Sequence, residues 1–548
     1  MDDTNDGTVN PGADDTTPTD GPTAEIGAVR AAVSGALAGG AALAVGELAA
    51  SLAAPRPGPV VAVANRVVDK APIWFVNFGK AVFGLADKPA LVLGTIIISL
   101  LVAIGLGLAS RRTLRPGVIG ISAFGLIGLI AIATDSQGGI GIAIPVALIS
   151  VAAGVGAFVL LMLRAAQHRP STDRDTTPVI DSPVNPALTR RNFLNAAGAV
   201  GATAAIAAAG ANVLRSRSSA NDARDAVQLE SALPASGLES KISAADLSDV
   251  AATEGITPLV MPNSDFYLID TAILTPQVDP ANWELTIKGM VDNVVTYSYE
   301  DLLERANTVE PVTLSCVSNE VGGELVGNAI WQGVPLTELL EEAGVQAGAT
   351  QIASRSVDGW SCGFPTDLAF DGRTAMVAIA MNNEPLPLRH GFPARLVVSG
   401  LYGYVSATKW LSEIELTTLE AFDGYWIPRG WSKFGPVKTQ SRIDTPRHAS
   451  SFAAGDLVPI AGVAWAPNLG IDKVEVQIDD GEWLEAELGE SLGANAWLQW
   501  RLPWTATSGR HVLRVRATDA SGQTQTSDLA APAPSGATGW HGIGVNVA

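Results

Sequence analysis

Thr313-Leu314-Ser315-Cys316-Val317-Ser318-Asn319 is an apolar strand that delivers a cysteine into a loop. The loop, Glu320–Gly327, carries glycines, and Trp331-Gln332-Gly333-Val334-Pro335-Leu336 restores an extended pattern behind it. A thiolate at a strand end is a good ligand for a soft or high-valent metal, and a loop position leaves its far side open to substrate. Taken alone, a buried cysteine is more often a small core hydrophobe than a ligand, so the surroundings decide. Strand-like runs flank it at Trp283-Glu284-Leu285-Thr286-Ile287 and Ala394-Arg395-Leu396-Val397-Val398, and Leu336–Ala343 has the pattern of a short helix. This predicts a mixed α+β domain over 249–447.

Beyond Pro446 and His448 the rhythm changes. Lys473-Val474-Glu475-Val476-Gln477-Ile478 and His511-Val512-Leu513-Arg514-Val515-Arg516 alternate, and turns fall at Asp480-Gly481, Ser508-Gly509 and Ser521-Gly522. Short alternating strands at this spacing predict an antiparallel β-sandwich over 448–548. Upstream, 215–248 is polar and rich in Ser, Ala and Asp, the composition of a linker.

The chain has 548 residues, too long for one ordinary domain. Its net charge of −20 leaves no basic stripe for phosphates and argues against nucleic acid as a partner. Two cysteines exclude a disulfide framework and a cysteine-ligated iron–sulfur cluster, though Cys316 and Cys362 could pair with each other. The mean hydropathy of +0.25 is high for a soluble protein and comes from the first third.

Residues 1–24 form an acidic tail, with Asp2, Asp3, Asp6, Asp14, Asp15 and Asp20 among Thr, Pro and Gly; the composition is that of disorder. Residues 25–214 form a membrane region with about five transmembrane helices. Ala90–Ser110, Gly117–Thr134 and Ile142–Leu163 are long apolar runs; Ile26–Ala54 is richer in Ala and Gly and carries Arg30 and Glu47, and Phe193–Leu214 is Ala-rich. Pro59–Gly84, with Trp74, Phe75 and Phe78, is either a helix lying in the interface or a packed loop. Arg111, Arg112 and Arg115 share one short loop, and Arg164, Arg169, Arg190 and Arg191 another. Placing both loops in the cytoplasm requires five spans and an external C-terminal domain. Arg56, Arg66, Lys70, Lys80, Lys88, Arg215 and Arg217 then lie outside, against the rule. The balance is tipped by Thr189-Arg190-Arg191-Asn192-Phe193-Leu194, which resembles a twin-arginine export signal without the Lys often found where Asn195 stands. Ala209-Gly210-Ala211 offers a cleavage site, but the reading keeps this helix as an anchor. The chain has five histidines, of which His168 alone is near a span, so an intrinsic bis-histidine haem is excluded.

The Cys316 loop with Asn319, Asn382-Asn383-Glu384-Pro385-Leu386-Pro387-Leu388-Arg389-His390-Gly391-Phe392-Pro393-Ala394-Arg395, and Gly403-Tyr404-Val405-Ser406-Ala407-Thr408-Lys409-Trp410-Leu411 together resemble the sulfite oxidase family of molybdopterin enzymes, and within it the prokaryotic membrane-anchored members. The similarity runs from about Thr257 to Thr418 and on through Gly424-Tyr425-Trp426 and Thr439–Asp444; Gly462-Val463-Ala464-Trp465 and Trp504–Asp519 resemble the family's dimerisation domain of immunoglobulin-like fold. The resemblance implies three parts: an all-α transmembrane region, an α+β sulfite-oxidase-like molybdopterin domain and a C-terminal β-sandwich of immunoglobulin-like fold. It implies a molybdenum–molybdopterin cofactor with Cys316 as the metal ligand. His390, Arg395, Thr408, Lys409, Ser264 and Tyr267 would contact the pterin, Arg395 being suited to bidentate phosphate binding; Asp358, in Val357-Asp358-Gly359-Trp360, is a weaker match. Isolated, Arg395 and Lys409 would be surface charges flanking a strand and His390 a satisfied loop histidine. At this joint spacing the functional reading is preferred.

The departures bear on substrate. Sulfite-oxidising members place two arginines after the cysteine–asparagine segment and another in an earlier Arg-Asn-His segment. Here Glu320 and Val321 follow Asn319, and Leu268-Ile269-Asp270-Thr271 stands in the earlier place. A dianion taken out of water needs compensating positive charge. The expectation is a molybdenum-dependent oxidoreductase performing two-electron oxygen-atom transfer outside the cytoplasm on a small sulfoxide-type or other neutral oxo substrate, with Cys316, Asn319 and Tyr404 at the reaction centre. Its expected partners are the lipid membrane, a separate electron-transfer partner and, through the C-terminal unit, a second copy of itself. Sulfite dehydrogenation by the same fold, with Arg429 as a substitute cation, is the alternative; a cofactor-free tethered binding protein and an assembly factor built around the membrane helices are the others.

Overall fold

The computed structural model describes residues 25–53, 57–83, 86–166, 186–216, 219–229, 238–246 and 248–548. The 1–24 tail, Arg56, His168, Arg169 and Arg217 lie outside the described residues.

The N-terminal region is helical: α1 (Ala28–Ala53), α2 (Pro59–Lys70), α3 (Ile73–Phe83), α4 (Asp87–Ala109), α5 (Arg115–Thr134), α6 (Ile140–Ala166) and α7 (Pro186–Ser216). Among the described residues five of these, α1, α4, α5, α6 and α7, are long and apolar enough to cross a membrane. Small residues set the packing. α1 and α4 cross with Gly35 and Gly107 facing, and a Cβ on either would run into the carbonyl of Ala103 or Ala31. The Pro59–Gly84 stretch is two short helices. α2 buries Val60, Val61, Ala62 and Ala64, whereas Trp74, Phe75 and Phe78 of α3 are exposed.

Two sheets build the middle of the chain. Its strands are β1 (Glu284–Gly289), β2 (Val295–Ser298), β3 (Thr308–Ser315), β4 (Val326–Pro335), β5 (Gln351–Ser356), β6 (Ser361–Pro365), β7 (Ala375–Met381), β8 (Glu384–Pro385), β9 (Arg395–Val398) and β10 (Leu411–Thr417). One sheet has the order β2-β1-β10-β5-β6, with β1 and β10 parallel; the other has β3-β4-β7-β8, with β9 also on β7. β7 is buried throughout and β4 almost so, which is why both are near-continuous apolar runs. Trp331 of β4 is fully buried and donates from Nε1 to the Val312 carbonyl at 3.1 Å. Leu336–Ala343 is a helix, and Tyr299–Arg305 is another, opened by a capping box between Ser298 and Asp301.

The C-terminal region is β-rich: β11 (Gln440–Thr445), β12 (Ser451–Phe452), β13 (Leu457–Trp465), β14 (Ile471–Ile478), β15 (Trp483–Glu485), β16 (Glu487–Leu488), β17 (Leu498–Thr505), β18 (Gly509–Asp519) and β19 (His541–Val547). Sheets β11-β13-β17-β16 and β12-β19-β18-β14-β15 share one core around Ile460, Trp500, Val476, Val515 and Val545. Two boundaries differ from the sequence reading. β11 pairs with β13, so the C-terminal sheets begin near Gln440, ahead of Pro446. Part of 215–248 is helical, at Ser219–Ala226 and Leu238–Asp246, and Arg224 there donates to the carbonyls of Pro385 and Leu386. Neither cysteine is in a disulfide.

Candidate active site

β3 ends at Ser315 and places Cys316 in a tight turn. The Asn319 amide donates to the Cys316 carbonyl at 3.0 Å, and the Cys316 amide to the Leu325 carbonyl at 2.9 Å. Asn319 is buried, and its Oδ1 accepts from Leu325 N at 2.8 Å, while its Nδ2 has no hydrogen-bond partner in the described structure. The Ser318 amide points at the Cys316 sulfur, 3.4 Å away, an orientation that favours a thiolate. Glu320 is exposed beside this turn.

The C-terminal region clamps the turn from behind. Arg442 donates from Nη1 to the Gly323 carbonyl at 2.8 Å and from Nη2 to Thr257 Oγ1, and is itself paired with buried Asp444 at 2.6 Å. Gly322 adopts a φ of 77° against the His541 ring, where a Cβ would collide. Sequence reasoning missed this clamp.

β9 carries Arg395 into the same region. The guanidinium is buried and lies 4.8 Å over the Trp331 ring. It donates to the carbonyls of His390 (3.2 Å) and Leu396 (3.3 Å), and among the described residues no carboxylate pairs with it. Burial pulls its pKa down to about 10. Tyr267, stacked on Phe266 at 5.2 Å, feels both the Cys316 and the Arg395 charges; burial pushes its hydroxyl far above the usual range. His390 is held through Nε2 by the Asn263 carbonyl at 3.0 Å, and burial, reinforced by Arg395, lowers it to about 4, so its imidazole is neutral at pH 7. Gly391, at φ 114°, lets these groups converge: a Cβ there would stand 3.0 Å from Lys409 Cβ and 3.1 Å from Arg395 Cβ.

Lys409 is buried too, and burial brings it down to about 8 although Asp270 accepts from it at 2.6 Å. The other oxygen of Asp270 accepts from Lys88, on the first turn of α4, at 2.6 Å. Burial alone would raise Asp270, but Lys409 and Lys88 hold it below its ordinary value. The residue that stands in place of an Arg-Asn-His segment is thus the centre of a Lys88–Asp270–Lys409 ion triad.

The remaining expected residues lie around this cluster. Ser264 is exposed and donates to its neighbour Asp265; Asn263 faces inward, binding Asn382 and Met381 and holding His390. The Thr408 hydroxyl meets Ser354 (2.7 Å) and Cys362 (3.1 Å) behind the cluster. The Tyr404 hydroxyl donates to the Ser432 carbonyl at 2.6 Å; the neighbouring Tyr402 is the one that feels the Cys316 charge. Asp358 lies beside Asp270 and Lys409, its carboxylate accepting from Trp360 N at 3.0 Å. Arg429 stacks on Tyr425 and donates to the carbonyls of Tyr425 and Asp69.

Residues 272–426 match the family model described as the oxidoreductase molybdopterin-binding domain. A Bacillus subtilis protein described as an uncharacterized oxidoreductase, YuiH, is 33% identical over 172 residues, covering 31% of this chain and 83% of the relative. The chain belongs to the sulfite oxidase family of molybdopterin oxidoreductases. Human mitochondrial sulfite oxidase is 27% identical over 303 residues, covering 47% of this chain and 55% of that protein. Arabidopsis thaliana nitrate reductase [NADH] 1 is 25% identical over 319 residues, covering 46% and 34%. The chain therefore spans about half the length of the sulfite oxidases it matches. A solved structure, the sulfane dehydrogenase SoxCD from Paracoccus pantotrophus, aligns at 24% identity over 51% of this chain and 76% of that one, with a TM-score of 0.44.

The protein is a molybdenum-dependent oxidoreductase with a molybdopterin cofactor. Its residues fit such a group. Among the described residues buried Arg395 has no carboxylate partner and Asn319 Nδ2 no acceptor, and the Cys316 thiol stands in the same turn as Asn319. A phosphate-bearing, sulfur-ligated metal complex satisfies all three.

Proposed function

We propose that this is a membrane-anchored molybdopterin oxidoreductase that performs two-electron oxygen-atom transfer outside the cytoplasm, on a sulfoxide-type or other neutral oxo substrate in preference to sulfite. The observation that carries the preference is the Cys316 turn, where exposed Glu320 and half-buried Val321 stand instead of arginines, so that the turn itself contributes no cation. The cofactor, when bound, supplies the exchange of one oxygen atom and two electrons. Cys316 ligates and tunes the metal, and Asn319 Nδ2 offers a donor to an oxygen near it. Arg395 and Lys409 supply cations to the pterin and its phosphate; neutral His390, Tyr267 and the backbone at Thr408 line its bed, with Asp358 at the edge. Tyr404 acts by holding the Ser432–Phe434 loop. Sulfite oxidation needs a substitute cation, and Arg429 is tied instead to Tyr425 and α2.

Membrane anchoring rests on the five apolar helices. The catalytic region meets α4 at Lys88 and the turn after α5 at Ser136, which lies against Gly359. Arg111, Arg112 and Arg115 lie at the opposite ends of α4 and α5, where Arg111 pairs with Glu25. Those arginines support a cytoplasmic loop and an external domain, against Arg66, Lys70 and Lys88 on the catalytic side, and export is read as guided by Arg190 and Arg191. The two C-terminal sheets are read as an immunoglobulin-like sandwich that offers a dimerisation surface. The test is a screen of sulfoxides, N-oxides and sulfite against molybdenum-loaded protein, with an artificial electron donor or acceptor. Molybdenum equimolar with the chain and loss of turnover in Cys316→Ala are expected; sulfite turned over faster than every sulfoxide and N-oxide refutes the preference.

A further inference from the structure

We propose that the cavity between the helical region and the catalytic domain binds the headgroup of a lipid-soluble quinol, and that this quinol is the electron donor. The inference rests on the reading above of a membrane-anchored oxo-transfer enzyme working in the reducing direction. The cavity encloses about 710 Å³, within the roughly 300–1,000 Å³ of small-molecule sites. Its walls come from both regions: Asn65 and Asp69 of α2, Asn212 near the end of α7, and Thr271, Asp358 and Trp360 of the catalytic domain.

Three observations select the ligand. The cavity lies at the ends of the apolar helices, so a carrier dissolved in the bilayer reaches it without leaving the lipid surface. Its wall carries hydrogen-bonding side chains for a quinone's oxygens, Asn212 and Thr271 beside Arg66, whose Nη1 stands 3.6 Å from Asp69. It also abuts the cofactor bed, because Thr271 follows Asp270, which bonds Lys409, and Asp358 interacts with both. The helices themselves contain no histidine, so they supply no haem ligand pair of that type.

The chemistry balances. The quinol's two O–H bonds break, releasing two protons and two electrons and leaving a quinone. The substrate sulfoxide takes up the two electrons and two protons; its S–O bond breaks and the oxygen leaves as water. Asp69 and Asp358 are the proton acceptors on the cavity wall, and desolvation raises each above its ordinary aspartate value.

The test uses the full chain in detergent. Decylubiquinone is titrated calorimetrically into protein made without molybdenum, and turnover of molybdenum-loaded protein is driven by decylubiquinol or by reduced methyl viologen. Asn212→Trp, which fills the cavity, should weaken quinone binding and quinol-driven turnover by at least about tenfold while viologen-driven turnover is kept; Asn212→Ala should retain all three. Equal quinone binding by wild type and Asn212→Trp, or no binding to wild type, overturns the site. Absent viologen-driven turnover on any oxo substrate overturns the reductase reading instead, and the calorimetry still reports on the cavity.

Discussion

Replacing Arg395 with Met should act with opposite sign on cofactor-free and cofactor-loaded protein. In the free protein the guanidinium is buried without a carboxylate, and the drop in its pKa from 12.5 to about 10 corresponds to a cost of about 3 kcal/mol for keeping it charged. Against this stand two hydrogen bonds to the carbonyls of His390 and Leu396 and the Trp331 ring. Losing them costs roughly 0.5–1 kcal/mol each. Methionine has similar reach and no charge, so the free protein should gain stability on the order of 1 kcal/mol. The loaded protein loses the partner of a buried anion and should fall by about 3–5 kcal/mol. At roughly 2–4 °C per kcal/mol, scanning calorimetry of the full chain in detergent should show a small rise in Tm without cofactor and a fall on the order of 10 °C with it. An equal fall in both forms refutes the reasoning, because Arg395 would then be satisfied by its protein neighbours alone.

Arg442→Ala should destabilise the protein by about 3–5 kcal/mol, since it strands buried Asp444, and should broaden the metal's spectroscopic signature by freeing the Gly323 carbonyl; an unchanged unfolding midpoint counts against the clamp. Glu320→Arg together with Val321→Arg should raise kcat/KM for sulfite by at least about tenfold, roughly 1.4 kcal/mol of transition-state stabilisation, and steady-state kinetics showing no gain would remove the charge argument. His511, paired with Asp479 at 2.8 Å, has its pKa raised by that hydrogen bond. A raised folded-state value means the contribution is complete below the unfolded pKa near 6.5 and is lost as pH climbs through the folded value. The effect should be at most about 1 kcal/mol because Asp479 is half-exposed, and His511→Gln should flatten that part of a urea-denaturation pH series.

What the sequence made legible was local. β3 with its terminal cysteine, β9, β14, β18, the helix Leu336–Ala343 and five apolar helices each carry their signal within one short window, as a period or a run. The convergence of Cys316, His390, Arg395 and Lys409 was reached through motif spacing and not through any property of the single residues. What escaped were pairings across long separations. Asp270 bonds Lys409 139 residues away and Lys88 182 residues away, and Arg442 reaches Gly323 across 119. No periodicity encodes such contacts. Asn263, whose carbonyl holds His390, also escaped, because which of two adjacent polar residues faces inward depends on contacts far along the chain. β11 was assigned to the wrong side of a boundary because its partner β13 lies beyond a proline and a turn.

The parallel pairing of β1 with β10 has a consequence for how the protein is made. Every other strand of the catalytic domain lies between those two in the chain, so the first sheet can close only after Thr417 has left the ribosome. Synthesis thus leaves a long interval in which β1 has β2 alone as a neighbour and an open edge.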